Sequence, residues 1–101
     1  MATVNESALE AALEDGLIGI PLSKNQEIYL DPTVVSVNRL LLYLKEEGNL
    51  NMKQIVHRMK YHKNTCSIYL KWLEKHKLVK VTPHEVSSKD GRLLASLYEA
   101  I

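Results

Sequence analysis

The chain has 101 residues, so we expect one compact unit with at most an appended arm. Hydrophobic residues make up 46% and charged residues 25%, which excludes wholesale disorder. The net charge of +1 combines −5 over residues 1–31 with +6 over residues 32–101, and such asymmetry in a short chain hints that the basic part binds a polyanion.

An acidic N-terminal helix and arm are predicted for residues 1–31. Residues 5–15 form the helix, capped by Asn5 or Ser7 and ended by Gly16. The segment up to Leu30 is expected to be a loop, with a short strand or extended lead-in at 27–30. The apolar side chains of this arm cover either the rest of the same chain or, by exchange, a second protomer; they are Leu9, Leu13, Leu17, Ile18 and Ile20.

Three helices follow in residues 32–76. Asp31 and Pro32 open the central one, whose broad apolar stripe ends at Gly48. Asn51 and Gln54 have the spacing of a capping box at the start of the second. The third runs from about Lys63 to His76. Its cap is Asn64 by side-chain chemistry or His62 by spacing, and the sequence does not separate them.

A β-hairpin is predicted after the third helix. Leu78, Val79, Val81 and Val86 indicate a first strand, residues 87–91 a turn, and 92–98 a second strand. Asp-Gly between extended apolar runs is a strong hairpin signal. Two helices joined by a four-residue turn and followed by a hairpin define a winged helix-turn-helix domain over residues 32–101. The fold class is therefore mainly α with a small β-hairpin (α+β), a three-helix core with a wing and an extra N-terminal helix.

The stretch 50–79 resembles the winged helix-turn-helix pattern of bacterial and archaeal transcription regulators. Residues 51–55 look like the start of the positioning helix, and 64–79 are similar to the recognition helix and its exit into the wing. Where that pattern usually has a helix-ending glycine, this chain has Lys77, so the helix either ends earlier, runs on, or puts a lysine in the left-handed region at an energetic cost.

A second resemblance lies in the wing. Asp90-Gly91-Arg92, five residues before Leu97, resembles the Asp-x-Arg signature of the multiple-antibiotic-resistance-regulator (MarR) family, although Tyr98 stands where that family usually has threonine. The resemblance implies that Arg92 enters the DNA minor groove and that Asp90 orients it. It also implies a dimer, but one formed without the family's long terminal helices. An ArsR-like metal-responsive regulator is a third, related possibility.

The outward face of the third helix is the predicted DNA-reading surface. If Cys66, Leu70 and Leu73 face the core, then positions 64, 67, 68, 71 and 75 point outward. Amide, hydroxyl, apolar and cationic groups together suit the major groove. The full set of predicted DNA contacts is Lys60, His62, Lys63, Asn64, Thr65, Ser67, Ile68, Lys71, Lys75, Lys89, Asp90 and Arg92.

The expected function is a sequence-specific, homodimeric double-stranded DNA-binding regulator, and more specifically a repressor that occupies a pseudo-palindromic operator. The alternative is a winged helix that serves as a protein-interaction module in a larger complex, using Ile68 and Trp72. Tyr69, Trp72 and His76 form a side stripe that is either secondary core beneath the wing strands or a contact surface for a partner or second protomer. No small-molecule effector is indicated.

Enzyme, metal and membrane functions find no support in the sequence. The spacings of His57, His62 and Cys66 match no ligand pattern, and Cys66 is expected to be a buried hydrophobic residue. No catalytic constellation is present, so we expect no enzyme activity, no cofactor and no metal. The longest apolar run, 40–44, is far shorter than the ~20 residues of a membrane span. With one cysteine and no secretory signal, we expect a cytoplasmic protein.

Overall fold

A computed structural model describes residues 5–82 and 96–101. Over these residues the chain is mainly helical with one small antiparallel sheet, which confirms the α+β class. The helices are α1 (Glu6–Glu14), α2 (Lys24–Ile28), α3 (Pro32–Glu47), α4 (Met52–Met59) and α5 (Lys63–Lys75). The strands are β1 (Leu50–Asn51), β2 (Val79–Thr82) and β3 (Leu97–Ala100).

The N-terminal arm lies on the central helix of its own chain. Asn5 caps α1, and Leu9 and Ala12 of α1 are buried. Beyond α1, the Asn38 side chain in α3 accepts a hydrogen bond from the Gly19 N–H at 2.6 Å and donates one to the Ile20 carbonyl at 2.9 Å. Of the two expected positions of the arm, the structure therefore shows the intramolecular one.

Gly19 is the point at which the arm comes closest to α3. Its φ of +84° lies where side chains are rarely tolerated. A Cβ added here would also lie 3.2 Å from Cδ2 of Leu41 and 3.1 Å from Nζ of Lys45. Only glycine brings the backbone this close, and the Lys45 ammonium donates to the Gly19 carbonyl at 3.1 Å.

The prediction of a loop and an extended lead-in over residues 17–30 is wrong for its second half, where α2 forms. Ser23 and Gln26 make a complete capping box, which satisfies two backbone N–H groups at the start of this five-residue helix. Glu27 accepts from the Arg39 guanidinium of α3 at 3.2 Å. A helix this short is not stable in isolation, so these local caps and this tertiary ion pair hold it in place.

The central helix α3 is formed as predicted. The Asp31 carboxylate accepts a hydrogen bond from the Thr33 N–H at 2.9 Å, Pro32 occupies the first turn, and Gly48 ends the helix with φ +83°. Its apolar side chains lie at the centre of one continuous core that takes residues from the arm, from α4 and α5, and from the sheet. The fully buried large side chains are Leu9, Val37, Leu40, Leu41, Leu44, Ile55, Cys66, Leu70, Leu73 and Val79.

The three strands have the order β1-β3-β2. The predicted pairing of the two late strands is confirmed, with Val79 opposite Ala100 and Thr82 opposite Leu97, but β3 runs on to Ala100 instead of ending at residue 98. The sequence did not predict β1, which pairs Leu50 with Tyr98 on the other side of β3. The predicted turn at 87–91 lies outside the described residues.

No helix in the described part of the chain is long and apolar enough to cross a membrane.

Candidate nucleic-acid interface

Helices α4 and α5 are joined by the three residues 60–62 and pack directly on each other. Lys60 ends α4 in the left-handed region, with φ +59°, and its N–H donates to the Val56 carbonyl at 2.8 Å. His62 then caps α5, because its Nδ1 accepts from the Asn64 N–H at 3.2 Å. The cap left open by the sequence is therefore His62, and the Asn64 side chain is not used as the cap.

Tyr61, at the middle of the turn, ties the two helices to α3. Its hydroxyl lies 2.9 Å from Oγ of Ser36 in α3. Its ring meets that of Tyr69 in α5 edge to face, with centroids 6.3 Å apart. Burial raises the pKa of the Tyr69 phenol, so this side chain stays neutral in the core. These contacts set the position of α5 relative to the central helix.

The inner face of α5 is broader than a single row. Cys66, Leu70 and Leu73 are buried, as predicted, and so are Tyr69 and Trp72. Trp72 is only 3% exposed, so the core interpretation is confirmed for Tyr69 and Trp72, while His76 is half-buried. The predicted partner contact through Trp72 is wrong, because this side chain has almost no exposed surface. Burial also raises the pKa of the Cys66 thiol, in keeping with its predicted role as a small hydrophobic residue.

The outer face of α5 carries the predicted DNA-reading side chains. Asn64, Ile68, Lys71 and Lys75 are exposed, and Ile68 is 42% exposed despite being apolar. We call these four residues the α5 outer face. Ser67 lies at its edge and is half-buried.

Thr65 departs from the predicted surface. It is half-buried and lines a cavity of about 270 Å³ beside Tyr61 and Tyr69, between α5 and the start of α3. Its position follows from the helical period, since residue 65 lies about 100° from residue 64 and about 60° from residue 68 around the helix axis. Thr65 therefore lies at the edge of the α5 outer face, on the side that meets α3.

The cations near this face have no acidic partner within the described residues. Lys60, Lys63, Lys71 and Lys75 are exposed and form no ion pair there. In contrast, Nη2 of Arg58 forms an ion pair with Oε1 of Glu47 at 2.9 Å, and Cζ of Arg58 lies 4.9 Å from the centre of the Tyr43 ring. The four lysines are therefore available to an anionic partner, whereas Arg58 is already neutralised.

Lys53 joins this group, although it was absent from the predicted contacts. With Lys63, Met52 and Val56 it lines a groove of about 400 Å³ between α4 and the start of α5. The signal in the sequence was the place of Lys53 in the first turn of α4, where its side chain is exposed. Lys89, Asp90 and Arg92, the predicted wing contacts, lie outside the described residues.

No family model matches the chain, and neither a curated protein nor a solved structure does. Within the described residues, no three His, Cys, Asp or Glu side chains are grouped as metal ligands would be.

Proposed function

We propose that this chain is a winged helix-turn-helix protein that binds double-stranded DNA through α5 and regulates transcription, most simply by occupying an operator as a repressor. The element order supports this proposal. Helix α3 is followed by β1, by the α4-α5 pair and by β2 and β3, with β3 at the centre of the sheet. Within residues 5–82 and 96–101, that arrangement leaves the outer side of α5 exposed.

The observation that carries the proposal is the α5 outer face itself. It combines an unengaged amide, an exposed isoleucine and two lysines without ion pairs in the described part of the chain. The exposed Ile68 gives this face an apolar contact among polar groups, which suits a thymine methyl group in the major groove. A helix of thirteen residues is about 20 Å long and fits a major groove about 12 Å wide.

Each side chain of this face has a counterpart in the major groove. The Asn64 amide can bind adenine through two hydrogen bonds, and the Ile68 side chain can contact a thymine methyl group. Lys71 can donate to guanine or to a phosphate. Since Asn64 does not cap the helix, its amide is free for this purpose.

Phosphate contacts are assigned to the start of α5. Lys53, Lys60 and Lys63 surround this end of the helix, where the backbone dipole also favours an anion. Such contacts give affinity and register without sequence preference, so specificity requires the α5 outer face and a second half-site bound by a second protomer. The proposal includes no enzyme activity and no cofactor.

The test is selection of duplexes from a random-sequence pool, followed by fluorescence anisotropy on the enriched sequence. Lys71→Glu is expected to weaken binding at least tenfold, because it places a carboxylate against the duplex. Lys45→Glu is the control with the same change of charge, since Lys45 contacts the arm at Gly19 and not α5. If no sequence is enriched, or if both variants bind as the wild type does, the proposal fails.

A protein-interaction module remains the second candidate, and the exposure of Ile68 is the observation that favours it. Retention on heparin that falls with salt supports DNA binding. A protein partner recovered without nucleic acid, and lost in Ile68→Glu but kept in Lys71→Ala, supports the module.

A further inference from the structure

The surface around α2 has an apolar ridge and an apolar groove side by side. Ile28 and Tyr29 are 74% and 89% exposed, and α2 has no buried residue. Beside them a groove of about 540 Å³ runs between α2 and α3, walled by Leu30, Pro32 and Val35. We call this combination the α2 patch.

An exposed patch of this kind is unusual for a protein without a partner. Monomeric proteins keep contiguous apolar patches small, and scattered single residues are the norm. Here two large side chains are adjacent in sequence, and Ile28 also forms part of the groove wall. Ile28 is the last residue of α2 and Tyr29 is its C-cap, and the helix is held by a capping box and by the Arg39–Glu27 ion pair rather than by burial of its own side chains. Within the described residues, the contacts therefore leave the Ile28 and Tyr29 side chains without a packing role.

We infer that the α2 patch is the surface through which two copies of this chain associate about a two-fold axis. A ridge next to a groove is self-complementary, because a two-fold rotation places the ridge of each copy in the groove of the other. The charges agree with this geometry. Lys24 forms no ion pair within the described residues, and Glu27 is bonded to Arg39 through Oε2, so a partner helix running in the opposite direction can bring Lys24 beside the Glu27 carboxylate.

The side chains of the α2 patch supply a substantial part of the area that a dimer interface needs. Stable interfaces bury at least about 600 Å² on each partner. A tyrosine side chain alone contributes about 150–250 Å², to which Ile28 and the groove walls add. Duplex DNA is a poor occupant, because the groove is apolar and its two cations, Lys24 and Arg39, lie beside a carboxylate.

Association here leaves the proposed DNA-reading surface free. The α2 patch reaches the turn between α4 and α5 at Tyr61 but includes none of Ile68, Lys71 and Lys75. A dimer formed through it presents two α5 outer faces, as a two-fold operator requires. The proposed function requires a second protomer, and a dimer formed through the α2 patch provides it. The association itself does not depend on DNA binding.

The test is the mass of the full chain by sedimentation equilibrium from about 1 to 200 μM, without DNA. We expect the wild type to dimerise and Ile28→Glu to raise the dissociation constant about a hundredfold, since each substitution enters a two-fold interface twice. Ile101→Glu is the matched control, because Ile101 is also 74% exposed but lies after β3. An unchanged melting temperature shows that each variant is folded.

A covalent test identifies the surface directly. The only cysteine of the chain is buried, and an equimolar mixture of Tyr29→Cys and Val35→Cys chains pairs a ridge thiol with a groove thiol in the proposed dimer. Oxidation is expected to link these two chains, whereas a mixture of Tyr29→Cys and Ile101→Cys gives no such link. A wild type that stays monomeric, or a dimer insensitive to Ile28→Glu, overturns the inference. Either result leaves the DNA-binding experiment with Lys71→Glu standing on its own.

Discussion

The hydroxyls of Ser36 and Tyr61 lie 2.9 Å apart, in a contact that joins the N-terminal part of the central helix to the turn between α4 and α5. Ser36 is buried, and Tyr61 is half-buried with its ring against Tyr69. Lys60, in the same turn, has a strained left-handed backbone with φ +59°. The path of the chain through this turn is therefore set by the Lys60 backbone and by the contacts of the Tyr61 side chain. The position of this turn on α3 therefore depends on one hydroxyl pair and one ring contact, in addition to the packing of α5 in the core.

Tyr61→Phe tests this dependence. Removing the phenol oxygen leaves the Ser36 hydroxyl without its partner, and we expect a loss of about 1 kcal/mol in the free energy of unfolding, measured with urea. DNA affinity should fall as well, because α5 is less well fixed. Tyr29→Phe removes the same atom from a side chain that is 89% exposed and should leave the free energy of unfolding unchanged. Equal stability of the two variants would show that the hydroxyl pair contributes nothing.

Lys77 occupies a position that favours glycine. It follows α5 with φ +59°, and the bonds from Leu78 N–H to the Leu73 carbonyl and from Lys77 N–H to the Glu74 carbonyl, 2.9 and 3.0 Å, form a Schellman motif. Of the three outcomes considered for this position, the left-handed lysine is the one observed. Its side chain conflicts with this backbone conformation, and the motif holds it there.

Lys77→Gly is expected to stabilise the protein by about 0.5–1 kcal/mol in urea denaturation, since relief of the left-handed strain exceeds the entropy that glycine adds to the unfolded chain. Lys77→Ala retains the Cβ and should bring no gain. Lys60→Gly should give a similar stabilisation but, unlike Lys77→Gly, should weaken DNA binding. A destabilised Lys77→Gly variant would mean that the strain is absent.

The Asp31 cap links stability to acid pH. The hydrogen bond from the Thr33 N–H lowers the pKa of the Asp31 carboxyl below its usual range. A carboxyl with a lower pKa in the folded protein stabilises the fold above its unfolded pKa, and that contribution is lost as the pH falls below about 4. Asp31→Asn keeps a good cap without a titrating group. We expect thermal melts from pH 7 to pH 3 to decline less steeply for this variant, and identical profiles would contradict the assignment.

Cys66 should be unreactive in the folded protein. It is fully buried in the core, and burial raises the pKa of its thiol, so the reactive thiolate is disfavoured. At pH 8 we expect a thiol reagent such as DTNB to modify it only after denaturant is added. Ile101→Cys supplies a thiol at a position that is 74% exposed and should react at once. Rapid labelling of the wild type would place Cys66 outside the core.

The well-predicted parts of the fold are those in which local signals agree with burial. Asp31 with Pro32, and Asn51 with Gln54, marked helix starts that the structure has at those residues. Apolar spacing likewise identified Cys66, Leu70 and Leu73 as the inner side of α5. In these segments the cap and the period give the same answer, which makes the prediction secure.

Non-local contacts account for what the sequence did not show. Strand β1 has two residues and exists because Leu50 pairs with Tyr98, far along the chain. Helix α2 has five residues and depends on the ion pair from Glu27 to Arg39. In the candidate site, the chemistry of Asn64 suggested a cap, but the three-residue turn put His62 there instead. Neither strand pairing nor the exit angle of a turn has a periodic signature in the sequence.

The salt dependence of DNA binding distinguishes phosphate contacts from base contacts. If each protomer neutralises five or six phosphates, the logarithm of the association constant should fall with the logarithm of salt concentration with a slope of about −5 per protomer. Lys63→Gln should reduce the magnitude of that slope by about 1 and weaken binding equally on all sequences, because Lys63 lies at the start of α5. Asn64→Ala should leave the slope unchanged and relax the preference at one base pair, because it removes an uncharged amide. If Asn64→Ala instead reduced the slope and Lys63→Gln relaxed the preference at one base pair, Asn64 would contact the DNA backbone and Lys63 a base.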